Sequence, residues 1–386
     1  MAMSPRHLPR RPRRASFLPA VFLLLGAPLW AQSLRALATV RGVAVGTAVN
    51  YFHFVHDPAY TALLAREYNQ VEPENAMKWA ALHPAPQTYD FAQADAIVAF
   101  ALNHQQRVRG HNLLWHSHNP AWLTDGHFTP TQLAQILQDH ITTVVSHFAG
   151  RVYAWDVVNE AFQEGPSGKL RPSIWNDEPG IGRPGTGFIE QALRWAHAVD
   201  PHALLFYNDF GIEAINPKSD AVYAMVRDFK RRGVPLDGLG LQMHVDTDGH
   251  PNLSSLARNI ARFTALGVQV QITEMDVRLR VSRAGVASAR DLNTQARIYH
   301  DISAVCLKDP GCTALQTWGF TDASSWIPRF YPGYGAALPF DADLRPKPAY
   351  GALANALGGP PARGLKLAMV AGPPSDSPRQ RHRRQP

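Results

Sequence analysis

Two glutamates stand where apolar, β-branched runs give out. The run "VYAWDVVNE" (152–160) ends on Asn159 and Glu160, and "VQVQITEMD" (268–276) carries Glu274 and Asp276 at its end. A lone carboxyl in such a place can be a strand end meeting water. Two of them, brought together by the fold, could divide acid, base and nucleophile roles, because neighbouring carboxyl groups in different environments hold different protonation states.

Other runs end the same way. "NQVEPEN" (69–75) closes on Glu74 and Asn75, with Lys78 just beyond, and "RVRGHNLLW" (107–115) carries His111 and Trp115 and is followed by His116. "ALLFYND" (203–209) ends on Asn208 and Asp209, and "GLGLQMH" (238–244) on Gln242 and His244. "TALQTWGF" (313–320) holds Trp318, followed by Asp322 and Trp326. There is no glycine-rich phosphate loop, nucleophile-elbow serine or cofactor fingerprint, so no cofactor is expected. Indole faces beside amide and carboxylate partners suit sugar rings, which have apolar C–H faces and hydroxyl edges. Breaking a glycosidic bond calls for two carboxyl groups flanking it. His111, His116 and His118, with Asp246 or Asp276, could instead ligate a metal. Hydrogen-bonding imidazoles are the better default, with His244 bonded to a carboxylate such as Asp276, and no metal is expected.

The elements that must position these residues follow from the pattern of the chain. With "VAVGTAV" (43–49), the runs above make eight strands, and helical patterns lie between them, for example after Thr129 and after Gly187. Thr129 before Pro130 predicts a helix N-cap, and Gly150 and Gly267 stand where helices should stop. Eightfold alternation over about 320 residues predicts an α/β fold of the (β/α)8 TIM-barrel type as a single domain, 32–357. In such a barrel the C-terminal strand ends share one rim, so the polar clusters become one site. A doubly wound open sheet would concentrate them at a switch point instead.

The net charge of +7 belongs to the ends. Residues 1–31 carry five Arg and no acid, and residues 363–386 carry six Lys or Arg against Asp376 alone, which leaves the body roughly three units negative. A basic groove for nucleic acid is not supported. Residues 1–31 have the layout of a signal peptide, with a basic segment, an apolar run from about Phe17 to Leu29 and a small residue at Ala31. They predict a secreted or periplasmic protein with no membrane span in the mature form; Arg13–Arg14 leaves the export route open. Residues 358–386 read as a disordered basic tail rich in Pro, Gly and Arg. Export makes a disulfide between the only two cysteines, Cys306 and Cys312, the favoured state over two buried thiols.

The stretches "PENAMKW", "RGHNLLWHSHNPAWL", "WDVVNEAF", "LFYNDFGIE", "GLGLQMHV", "ITEMDVRL", "TWGFTDASSW" and "PFDADLRPKPAY" occur in order over residues 35–357. With them the chain resembles glycoside hydrolase family ten, the retaining endo-β-1,4-xylanases. The resemblance implies cleavage of internal bonds of xylan through a covalent glycosyl-enzyme, with Glu160 as acid/base and Glu274 as nucleophile. It implies that Asn159 bonds the 2-hydroxyl of the sugar at the cleavage point, and that Gln242 and His244 orient Glu274, with Asp276 behind His244. Glu74, Asn75 and Lys78 would hold the next sugar, His111 and Trp115 would complete the floor, and Trp318 and Trp326 would pack over the sugars. His116 and Asn208 would support this set. The partners expected are xylan and xylo-oligosaccharides, bound by a monomer; the cysteine pair also sits where such enzymes often carry a disulfide. Gly211 after Phe210, and His118 where Gln is more frequent, depart from the usual pattern and bear on subsite preference.

Overall fold

The computed structural model describes residues 32–358, apart from 166 and 177–179. The signal-peptide and tail segments read from the sequence therefore lie outside the described residues, Gly358 excepted.

The alternating apolar runs become β1 (Ala44–Val49), β2 (Gln70–Pro73), β3 (Arg107–Trp115), β4 (Ala154–Asn159), β5 (Leu204–Asp209) and β6 (Gly238–Leu241). Then come the short β7 (His244–Asp246), the long β8 (Gln269–Arg280), β9 (Cys312–Thr317) and the two-residue β10 (Tyr334–Gly335). Parallel pairing runs β1 to β6 in order, then β6 to β8 and β8 to β9. β9 pairs back to β1, with Val45 opposite Leu315, and closes the sheet. The result is the (β/α)8 barrel that the alternation predicts.

Boundaries differ where tertiary contacts intervene. The sixth predicted strand, 238–244, breaks after Leu241 because Met243 is left-handed at φ +66°; the chain then re-pairs as β7 against β8. β8 runs four residues past Asp276 because β7 and the antiparallel β10 both extend its ladder. β9 stops at Thr317, so Trp318 lies one residue beyond the strand.

The helices bury one stripe against the barrel. Pro130–Phe148 is the longest of the described helices, burying Leu133, Leu137, Ile141, Val144, Val145 and Phe148 at helical spacing. It begins as expected at Thr129, whose hydroxyl accepts from the Gln132 N–H while the Gln132 side chain accepts from the Thr129 N–H. Gly150 and Gly267 adopt φ +72° and +77°, the left-handed geometry of helix ends. Replacing a buried residue such as Leu137 by alanine costs about 2–5 kcal/mol.

Inside the barrel the core is partly polar. Tyr153 donates to Gln70, Gln70 to Gln316, and Arg109 to Gln271, which donates in turn to Thr313. These buried groups satisfy one another, which is the condition for carrying them without water. The network forms a stiff floor beneath the strand ends. Cys306 and Cys312 are joined in a disulfide that closes the turn before β9, resolving the choice between bonded and free thiols.

Candidate active site

The strand ends bring the two glutamates into one hydrogen-bonded set. At the end of β4, Asn159 is 1% exposed, and its Oδ1 accepts from Asn208 Nδ2 at 2.9 Å and from Gln242 Nε2 at 3.3 Å. Asn208 Nδ2 also donates to Glu274 Oε1 at 2.7 Å, and Thr273 Oγ1 orients Asn208 from behind at 2.7 Å. Asn208 can stand here because β6 offers Gly240 beside it: a Cβ on Gly240 would lie 2.1 Å from Asn208 Oδ1. The Asn159 Nδ2 group is buried with no partner. An amide donor left open in so crowded a network is set for something that arrives from outside.

Glu160 follows β4 in left-handed backbone at φ +56°. Its Oε2 accepts from Trp115 Nε1 at 2.9 Å and its Oε1 from Gln242 Nε2 at 2.8 Å, with His116 Nδ1 3.9 Å from Oε2. Gln242 thus holds Glu160, not Glu274 as the sequence resemblance implied. The left-handed Met243 separates Gln242 from His244, and the two side chains serve different carboxylates.

Glu274, 4% exposed, takes its second bond from His244 Nε2 at 3.1 Å. His244 Nδ1 bonds Asp276 Oδ2 at 2.9 Å, and Trp326 Nε1 donates to the same oxygen at 2.8 Å. Burial alone would lower the His244 pKa, yet Asp276 and Glu274 on either side hold it well above the ordinary imidazole value. Burial would raise Glu274, but the His244 hydrogen bond, the His111 and His244 imidazoles and the Asn208 amide hold it below its usual value. The site therefore keeps Glu274 an anion, the state a nucleophile needs.

Lys78 lies nearly buried between the rings of Trp115 and Trp318, at 5.2 and 5.6 Å from their centres, and donates to Asn75 Oδ1 at 2.9 Å. Burial lowers its pKa against the pull of Glu274, Glu74 and Glu160. Glu74 is held by Asn50 Nδ2 at 2.9 Å. His111 lies edge-on to Trp318, with ring centres 5.2 Å apart, and its Nδ1 bonds Asp156 Oδ2 at 3.0 Å. Most of the site residues named from the sequence join this set of contacts; the side-chain bond of Glu74 runs outward to Asn50, and Asp322 pairs instead with Lys347 at 2.8 Å.

The metal alternative is not assembled: His118 stacks on Trp115 at 4.8 Å, and burial, with Lys78, His111 and His116 nearby, pushes its pKa down to about 4. Among the described residues, Glu72, His111 and Asp156 come close enough to share an ion. The Arg109 guanidinium stands there instead, 3.5 Å from Glu72 and in direct contact with Asp156. Glu72, Arg109 and Asp156 escaped the sequence reading; they sit inside strands, where charged residues carry no positional signal. Beyond Glu160, the loops after β4 and β5 line a half-open cavity of about 400 Å³ whose lining includes Glu164, Phe210, Gly211 and Lys218.

The sequence profile described as glycosyl hydrolase family 10 matches residues 33–356. The chain belongs to that family. Family 10 relatives align over about four fifths or more of their length. An endo-1,4-beta-xylanase B of Thermotoga neapolitana is 43% identical over 343 residues, 87% of this chain and 96% of the relative. Native xylanase 10B of Thermotoga maritima superposes with a TM-score of 0.79 at 44% identity, covering 84% of this chain and 98% of its own. Xylanase 10B of Thermotoga petrophila, solved in complex with xylobiose, gives the same score and identity over 84% and 97%.

Proposed function

We propose that this family 10 hydrolase is a retaining endo-β-1,4-xylanase in which Glu274 is the nucleophile and Glu160 the acid/base. The observation that carries the assignment is the shared network of Asn159, Asn208 and Gln242. It joins both carboxylates and leaves one amide donor, Asn159 Nδ2, unpartnered between them. The xylanase relatives and the xylobiose complex supply the substrate class.

In the first step Glu274 attacks the anomeric carbon as Glu160 gives its proton to the departing oxygen. A retaining pair needs the two carboxyl groups about 5–5.5 Å apart for this direct attack. The glycosyl-enzyme removes the negative charge of Glu274, and Glu160, now ionised, takes a proton from water as the water attacks the same carbon and displaces Glu274 as a carboxylate. Asn159 Nδ2 grips the 2-hydroxyl, a contact that strengthens in the transition state. Glu74, Asn75 and Lys78 hold the next sugar by its hydroxyl edges, His111 and Trp115 form the floor, and Trp318 and Trp326 cover the ring faces. The cavity past Glu160 lies on the leaving-group side and takes the departing chain, with Phe210 and Gly211 shaping it.

The catalytic domain is read as 32–357, acting as a monomer and exported under the direction of residues 1–31. The test is xylan cleavage by purified Glu160→Ala and Glu274→Ala, each expected to fall at least about 10³-fold. Near wild-type cleavage by either refutes the pair. A panel of xylan, carboxymethylcellulose and mannan checks the substrate, with release of reducing sugar from xylan alone expected.

A further inference from the structure

The left-handed backbone at Glu160 costs an ordinary L-residue of order 1–3 kcal/mol and persists only where its surroundings hold it. Three contacts hold it. The Glu160 N–H donates to the Asn208 carbonyl at 2.9 Å, and the Glu160 carbonyl accepts from Arg171 Nε at 3.2 Å. The next amide, Ala161 N–H, donates to the Tyr207 hydroxyl at 3.0 Å. That hydroxyl can accept from Ala161 only if its own proton points elsewhere, and it is given to Asp209 Oδ2 at 2.5 Å. The other oxygen, Asp209 Oδ1, accepts from Lys218 Nζ at 2.7 Å and from the Phe210 N–H at 2.9 Å. Lys218 also donates to the Phe210 carbonyl at 2.8 Å.

All three side chains are buried. An ion pair this deep is weak support for stability, since well-packed apolar residues often serve as well or better. Another role is indicated. We infer that the Tyr207–Asp209–Lys218 cluster positions the acid/base: it fixes the main chain just past Glu160 and so sets the direction of the Glu160 carboxyl. The inference rests on the reading of Glu160 given above. Lys218 sets the polarity of the chain of bonds. It keeps a bare oxygen of Asp209 toward the ammonium, and the remaining oxygen takes the tyrosine proton. An asparagine at 209 would turn its oxygen to Lys218 and its NH2 to Tyr207. The hydroxyl would then have to redirect its proton, and the Ala161 amide would lose its acceptor.

The test uses Tyr207→Phe and Asp209→Asn in the full chain, with Glu160→Gln as reference, on two aryl β-xylobiosides. Phenol leaves poorly and needs the proton from Glu160, whereas dinitrophenolate leaves without it. For both variants kcat/KM on the phenyl substrate is expected to fall about 10–100-fold, as for a slightly misplaced catalytic group, and to stay within about threefold on the dinitrophenyl substrate. The ratio is read on one enzyme sample, so a partly unfolded preparation does not alter it. Equal losses on both substrates, or no loss on either, overturn the inference. If Glu160→Gln itself shows no such split, the acid/base assignment fails; a split there but not in the other two sinks only the positioning role.

Discussion

His244 lies between two carboxylates, and replacing it by glutamine separates its charge from its hydrogen bond. Gln can still offer an N–H to Glu274, but the positive charge 3.1 Å from Glu274 Oε2 disappears. With the charge centres about 4 Å apart and an effective dielectric near 20, the lost attraction is about 4 kcal/mol, or roughly three pH units. Relaxation and water entry reduce this, so the Glu274 pKa should rise by about one to three units. Its direction in the native protein is downward, so loss of His244 moves it back through the ordinary carboxylate range. The assay is kcat/KM against pH on a xylo-oligosaccharide. The acid limb reports protonation of the nucleophile and should move to higher pH by that amount, with the alkaline limb less affected. An acid limb that stays in place, with activity scaled down equally at every pH, would refute the electrostatic argument.

Asn159→Ala should lower kcat/KM about 10²–10³-fold, as for loss of one transition-state donor, with a clearly smaller loss on a xylose-type substrate lacking the 2-hydroxyl, where only the release of Asn208 and Gln242 from Asn159 Oδ1 is felt. Gly240→Ala drives a methyl into Asn208 Oδ1 and should reduce activity more than about tenfold, read as kcat/KM on xylotriose, although residue 240 touches no substrate. The His244 charge also feeds stability. Its folded pKa is raised, so its contribution is full below about pH 6.5 and lost as pH rises through the folded value; Glu274 is depressed, so its contribution is full above about pH 4.5 and lost on acidification. The melting gap between wild type and His244→Gln should therefore be widest from about pH 4.5 to 6.5. Replacing both Cys306 and Cys312 by serine opens a loop of six-residue separation and should cost about 2 kcal/mol in chemical denaturation.

The barrel was legible because each strand is an apolar run bounded by turn residues, and the site because the runs end in polar clusters on one rim. What sequence could not show is how far a side chain reaches. Gln242 follows β6 two residues before His244, and nothing in the spacing tells that the left-handed Met243 sends it to Glu160. β10 and the tail of β8 depend on each other's pairing and have no local signature. Asp209 was visible at a strand end beside Asn208, yet its partner Lys218 lies one residue into the helix Pro217–Arg231. A lysine there reads as solvated surface, and its burial follows only from the packing of the loop after β5. Arg109 and Asp156 are hidden for a similar reason: a charged residue inside a strand is explained only by the opposite charge on the neighbouring strand.

One amide nitrogen, Asn208 Nδ2, is divided between Asn159 and Glu274. Each acceptor takes one of its two hydrogens, so a change that turns this amide disturbs both bonds at once, and the proposed sugar contact and the proposed nucleophile share an inheritance. Substitutions around this atom should be strongly non-additive. Natural drift or directed evolution toward other sugars would then meet a ridge here that single steps do not cross, and new preference is more readily gained in the loops that carry Gly211 and His118.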